Sequence, residues 1–328
     1  MRKVVTLIII LSIVGNNSLR SQNKMDTKTD KIVIAHRGAS GYLPEHTLES
    51  KAMAYAMHPD FLEQDLVLSK DDVPVVIHDI HLDDITDVAS KFPSRKRKDG
   101  HFFVIDFTYK ELLQLNVYER FDPKTKKAVF PNRFPYGKSH FKLHSLQDEI
   151  ELIQGLNKST GKTIGIYPEI KNPAFHRKSG KDISKIVLSI LTEYGYKTKS
   201  DPCILQCFDE AELKRIRTEL NSELFLVQLV GRRINEKDLD EFKTYADGIG
   251  PSIRAIIKGI DKNGNITYSD LVKNAHSRNL KVHAFTLRAD QLGNAPSFEK
   301  LLEIVFYGAN IDGAFTDFPD KVVEFLKK

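Results

Sequence analysis

The stretch Phe61–Asp79 reads FLEQDLVLSKDDVPVVIHD. Two β-like runs, FLEQDLVL (61–68) and VPVVIHD (73–79), are joined only by SKDDV (69–73). Parallel neighbours need a crossover of about a dozen residues or more, so this pair predicts an antiparallel hairpin. A turn centred near Lys70–Asp71 sets residues 63–65 opposite residues 77–79. The segment EQD then faces HD across the pair.

Seven further β-like runs follow the same reading: KIVIA (31–35), TIGIYPEI (163–170), CILQCF (203–208), ELFLVQLV (223–230), DGIG (247–250), KVHAFTL (281–287) and GAFTDF (313–318). Helix-like stretches lie between most of them, including HTLESKAMAYAM (46–57), LQDEIELIQGLNK (146–158), DISKIVLSILTEYG (182–195) and DEAELKRIRTEL (209–220). Their apolar positions recur near every 3.6 residues. In the third, Ile183, Ile186, Val187, Ile190 and Leu191 form one core-facing stripe, and Gly195 is placed to stop the helix. Alternating strand and helix argues for a parallel sheet with helices outside. Setting aside the extra hairpin strand leaves eight units, the number that closes a (β/α)8 TIM barrel.

Residues 80–144 break the alternation and are rich in Pro, Lys and aromatics. They read as an insertion within a barrel domain that occupies 31–79 and 145–328. A segment this long is expected to carry a small fold of its own.

The chain has 328 residues, 41% hydrophobic and 28% charged, ordinary for a globular protein with a sizeable core. The formal charge of +5 is modest, and no basic cluster is interleaved with aromatics in a nucleic-acid motif. SRKRKDG (94–100) reads as a solvated loop. At the start, Met1-Arg2-Lys3 precedes the charge-free run VVTLIIILSIVG (4–15) and a polar stretch, which reads as a signal peptide over residues 1–21 with candidate ends near Gly15 and Ser21. The run is shorter than the ~18–20 residues that span a bilayer, so no permanent membrane span is expected. The expected location is periplasmic or secreted. Cys203 and Cys207 lie four residues apart on a strand. That is about 13 Å at ~3.3 Å per residue, beyond the roughly 7 Å a disulfide allows. Both are expected to be free packing residues.

Glu63 and Asp65 sit two apart on an otherwise apolar run, so a strand points both to one face. Buried together, they repel and lose hydration, and they need a cation or protons. Glu169 and Lys171 repeat the spacing in YPEIK. Three such carboxylates converging at a barrel end would suit a hard divalent cation, Ca²⁺ or Mg²⁺. The competing reading is a set of ion pairs on separate faces. His36 and His78 close their β-like runs, and histidine suits proton transfer near neutrality. Arg37 and Lys171 add positive charge for an anionic substrate. Cation, two bases and two positive side chains together fit phosphodiester chemistry.

AHRGASGYLPEHTLES, LEQDLVLSKDDVPVVIHD, GIYPEIK, LQCFDEAELKRI, YADGIGP and GAFTDFPD, in this order, resemble the motif series of glycerophosphodiester phosphodiesterases, in particular the secreted periplasmic type. The similarity runs from about Lys31 to the C-terminus and includes the insertion. It implies a (β/α)8 TIM barrel of the phospholipase-C-like phosphodiesterase type, hydrolysing glycerophosphodiesters to sn-glycerol 3-phosphate and an alcohol. It further implies Glu63, Asp65 and Glu169 as metal ligands, with Ca²⁺ preferred over Mg²⁺, and His36 and His78 as the acid–base pair. Arg37 and Lys171 match the phosphate-contacting positions. Gln206 and Phe208 lie on a pocket-lining strand, and Phe285 stands where the family often has Trp or Tyr. The family pattern also implies attack by the neighbouring glycerol hydroxyl, giving a cyclic phosphate that water opens. Two other readings remain beside this one: a larger phosphodiester substrate, such as a lysophospholipid or a glycerol-phosphate polymer, and a surface protein with an additional binding role.

Two motif-like stretches are set aside. GLNKSTGKT (155–163) has five residues between its glycines where a nucleotide loop needs four, and it follows a helix instead of preceding one. DKNGNIT (261–267) has its glycine at the fourth position, not the sixth of a calcium loop, and reads as a β-turn.

Overall fold

A computed structural model describes residues 31–261 and 265–328. The signal peptide read at 1–21, and the centre of the β-turn read at 261–267, lie outside the described residues.

All nine sequence runs form strands: β1 (Ile32–Ala35), β2 (Phe61–Leu68), β3 (Pro74–Val76), β4 (Gly165–Ile170), β5 (Ile204–Cys207), β6 (Phe225–Val230), β7 (Gly248–Pro251), β10 (Lys281–Leu287) and β11 (Gly313–Thr316). A short antiparallel hairpin, β8 (Ile257–Ile260) and β9 (Ile266–Tyr268), was not read from the sequence; it forms a separate two-stranded sheet outside the strand–helix alternation. Eight parallel strands run in the order β1-β11-β10-β7-β6-β5-β4-β2, and β2 pairs back onto β1 to close the barrel. β3 is the added antiparallel strand. Leu66 faces Val76, and Ile77 N donates to Asp65 O at 2.8 Å, the register the short turn predicts.

β1 and β3 share one edge of β2. β1 takes Phe61 and Leu62, and β3 takes Leu66, Val67 and Leu68. Glu63 and Asp65 lie between these two stretches. There the chain leaving β1 turns over the barrel mouth, and Arg37 N donates to Glu63 Oε2 at 2.9 Å. Gly38 takes φ 91°, and a Cβ there would sit 2.6 Å from Ser50 Oγ. A Cβ on Gly41 would sit 2.5 Å from the Phe318 ring, so this loop can close on the barrel only with glycine at both places.

Ile34, Tyr167, Ile204, Val227 and Phe315 fill the barrel interior below the mouth. Between barrel and helices, Ile183–Glu193 buries Ile183, Val187, Ile190 and Leu191, with Ile186 at the margin. Each such side chain contributes about 1.5–3 kcal/mol when fully buried. Gly195 follows the last helical turn at φ 91°. Cys203 and Cys207 are free and buried in this layer. On the outer side of β2, buried Lys51 pairs with Glu149 Oε1 at 2.9 Å, while Gln64 and His144 also bond Glu149 at 2.7 Å each.

Residues 80–144 hold only helical pieces of three or four residues. Their apolar side chains, including Leu82, Ile85, Phe102, Phe107 and Phe141, pack on Val67, Val75 and Ile77 of the β2–β3 hairpin. Their core is therefore shared with the barrel and not closed on itself. The basic stretch at 94–100 differs from a plain solvated loop. Arg95 pairs with Glu111 and covers Phe107, and Arg97 pairs with Asp106 and covers Phe103. The stretch 155–163 holds the end of helix Leu146–Thr160 and its left-handed cap Gly161, a helix C-terminus and not a phosphate-binding N-terminus. Among the described residues, no helix is long and apolar enough to cross a membrane.

Candidate active site

β2 and β4 run side by side with Asp65 opposite Glu169, and Glu169 lies opposite Gln206 on β5. The two-residue strand period turns Glu63, Asp65 and Glu169 into the same barrel mouth. One oxygen from each lies within 4.8 Å of the others, and all three residues are buried. Burial and the neighbouring Asp65 push the Glu63 carboxyl well above its usual range. Burial likewise pushes Glu169 up to about 8, although Lys171 opposes it. Asp65 goes the other way. Burial would raise it, but Lys171 and the His46 hydrogen bond outweigh that and hold it well below the carboxylate range. Asp65 Oδ1 and Gln206 Oε1 are buried without a hydrogen-bond partner. Converging oxygens that crowd and repel one another in this way fit a hard cation. The triad can therefore hold a metal ion.

His36 follows β1, and His78 lies just past the end of β3. His36 Nδ1 sits 2.6 Å from Asp317 Oδ1, and its Nε2 is 3.9 Å from Glu63 Oε2. Burial lowers His36 to about 4; Asp317 pulls upward, but Arg37 and Arg288 oppose it. His36 is thus neutral at pH 7. It donates through Nδ1 and leaves Nε2 free toward the carboxylates. His78 is partly exposed, and its Nδ1 lies 2.8 Å from Asp79 Oδ1. Burial, then Arg37, lowers it.

Arg37 holds φ 57°, unusual for a side-chain-bearing residue, and such strain gathers at functional sites. Its guanidinium grips Glu45 at 2.9 and 3.0 Å and lies 3.7 Å from Asp65. Lys171 Nζ is 2.8 Å from Glu169 and 3.7 Å from Asp65. Gln206 Nε2 donates to Glu63 Oε1 at 3.1 Å. Phe208 and Phe285 meet edge to face at 5.9 Å on the wall of a cavity of about 900 Å³. His36, Arg37, Glu63, His78, Glu169 and Gln206 line the same cavity, while Lys171 lines a neighbouring one with Glu169 and Phe208.

The Glycerophosphoryl diester phosphodiesterase family profile matches residues 36–321. A Haemophilus influenzae glycerophosphodiester phosphodiesterase is 49% identical over 94% of this chain and 94% of its own, and one from Treponema pallidum is 39% identical over 92% and 93%. The chain belongs to the glycerophosphodiester phosphodiesterase family. The fold agrees: an Oleispira antarctica phosphodiesterase, solved with the product sn-glycerol-3-phosphate, superposes with a TM-score of 0.62 at 21% identity, covering 90% of this chain and 97% of that one.

Sequence reasoning missed part of this phosphodiesterase-family site. Asp317 was legible only as the end of a β-like run, and its pairing with His36 spans 281 positions. His46, read only as the first residue of the helix-like stretch 46–57, stands just before helix Leu48–Ala56 and bonds Asp65 Oδ2 at 2.7 Å. The insertion sends in two arginines. Arg120 bonds Glu45 at 2.7 Å and Asp79 at 2.8 Å and also meets Asp84, and Arg133 reaches Asp317 at 2.7 Å. No composition rule separates these two arginines from the other basic residues around them.

Proposed function

We propose that this protein hydrolyses glycerophosphodiesters to sn-glycerol 3-phosphate and an alcohol, using a divalent cation, Ca²⁺, at Glu63, Asp65 and Glu169. The observation that carries the reading is a buried three-carboxylate cluster flanked by two histidines whose Nδ1 atoms are each held by an aspartate. Family membership and the product named for the Oleispira protein support the substrate class. A bound cation would supply positive charge to the phosphate oxygens as negative charge builds on them.

The protein's own groups do the rest. Arg37 faces the phosphate from the cavity wall, and Lys171, paired with Glu169 beside it, adds positive charge to the site. His36 Nε2, neutral at pH 7, takes the proton of the neighbouring glycerol hydroxyl as it attacks phosphorus. A bound phosphodiester anion raises the proton affinity of His78, which then donates to the leaving alcohol oxygen. The cyclic phosphate left when the alcohol departs is then opened by water, which gives its proton to His78 while His36 returns its own to the glycerol oxygen. Phe208 and Phe285 give the organic part of the substrate an apolar wall. Asp317 and Asp79 hold the two rings in orientation. Turnover of glycerophosphocholine tests the reading. Glu63→Gln, His78→Ala and EDTA are each expected to remove most of it, and activity surviving all three overturns the metal–histidine mechanism. An exported location belongs to the same proposal, and cell fractionation with and without residues 1–21 tests it.

A further inference from the structure

A second cavity, of about 780 Å³, opens beside the first. Phe208, Ser252, Arg254 and Phe285 stand on both walls, so the two adjoin at the barrel mouth. Its far side is built by the segment after β6 and by the β8 region that sequence reading did not detect. The charge there is unbalanced. Arg233, Arg254 and Lys258 line it, are exposed, and make no ion pair among the described residues. Arg232 differs, since Glu210 and Asp238 engage it. Of the wall carboxylates, Glu236 is held by Arg278, which leaves Asp270 against three free cations.

We propose that this cavity is the subsite for the leaving alcohol and that it selects alcohols carrying a second phosphate. The inference rests on the phosphodiesterase reading above and names the substrate class that site prefers. The cavity adjoins the histidines and carboxylates through the Phe208–Phe285 pair, so a substrate whose phosphate sits among them extends its alcohol into it. A cationic alcohol such as choline would need a free aromatic face and nearby carboxylates. Here Lys171 Nζ already lies 5.9 Å from the Phe208 ring centre, and Arg254 stands at the junction. Exposed charge contacts are individually weak, so three acting together give a preference on the order of tenfold.

Glycerophosphoinositol and glycerophosphoinositol 4-phosphate test this, because they differ by one phosphate on the leaving alcohol. At low salt, kcat/KM is expected to be about tenfold higher for the phosphorylated substrate, and the gap narrows as ionic strength rises. The double variant Arg233→Gln, Lys258→Gln, at residues that line only the second cavity, is expected to lose most of the gap while keeping its turnover of glycerophosphoinositol. No gap in the parent, or an intact gap in the variant, overturns the subsite and leaves the phosphodiesterase reading standing. No turnover of either substrate by a parent that hydrolyses glycerophosphocholine overturns the subsite alone, and no turnover of glycerophosphocholine as well overturns that reading and the subsite with it.

Discussion

Asp317 at the end of β11 lies 2.6 Å from His36 at the end of β1, and the same carboxylate is gripped by Arg133 and Arg288 at 2.7 Å each. Parallel pairing of β1 with β11 brings the two residues side by side. Asp317 fixes the His36 ring and its tautomer, while burial keeps the ring neutral against the pull of the aspartate.

Asp317→Asn is therefore expected to lower kcat by about 10²-fold or more, the scale of a general-base contribution, with a smaller change in KM. The pH profile of kcat should shift as well, which a merely structural role would not cause. Stopped assays across pH 5–9 on a folded variant check this, and an unchanged profile refutes the orienting role.

Arg120 ties Glu45, which grips Arg37, to Asp79, which holds His78. Arg120→Ala is expected to reduce kcat/KM by about 10–10²-fold, since a small displacement of catalytic groups has that effect. Arg120→Lys restores little, because an ammonium does not reproduce the planar fork. Steady-state kinetics of both variants decide the point.

The crowded carboxylates predict that a cation stabilises the fold as well as serving turnover. Ca²⁺ at 100 times its Kd should stabilise the folded state by about 2.7 kcal/mol and raise Tm accordingly. Glu63→Gln and Asp65→Asn should each blunt the rise. Thermal melts with Ca²⁺, with Mg²⁺ and with EDTA measure this without any substrate.

Glu119 is buried, with Oε2 unpartnered, and burial reinforced by Glu45 pushes it up to about 8 from the ordinary 4.5. The folded chain then binds a proton that the unfolded chain releases between these values. This group's contribution is complete below about pH 4.5 and is lost as pH rises toward 8. Glu119→Gln should flatten the fall in stability across that window and raise stability at pH 9. Urea unfolding at pH 5, 7 and 9 checks the sign.

Lys51 and Glu149 are both fully buried, and Lys51 also bonds the Glu63 carbonyl. Removing one partner leaves a buried charge uncompensated, so Lys51→Met should destabilise the protein by about 3–5 kcal/mol. Chemical denaturation measures it. A cost below 1 kcal/mol would mean that Gln64 and His144 suffice to hold Glu149.

The barrel and much of its mouth follow from signals that act over a few residues. The SKDDV link is too short for a crossover, so β3 is antiparallel and eight strands remain. The period of two turns Glu63 and Asp65 inward together, and Gly195 stops its helix through a backbone angle that glycine alone takes freely. Each depends on sterics or hydrogen bonding within one turn or one strand, so each is written in the local sequence. The partners of these residues are not. Asp317 meets His36 only after the barrel closes, His46 reaches Asp65 only once its loop folds back, and Arg120 and Arg133 arrive from an insertion without periodic structure. Local chain physics decided which residues face the mouth. Closure of the barrel and packing of the insertion decided what holds them there, because ion pairs between residues far apart in the chain depend on the whole fold and not on spacing.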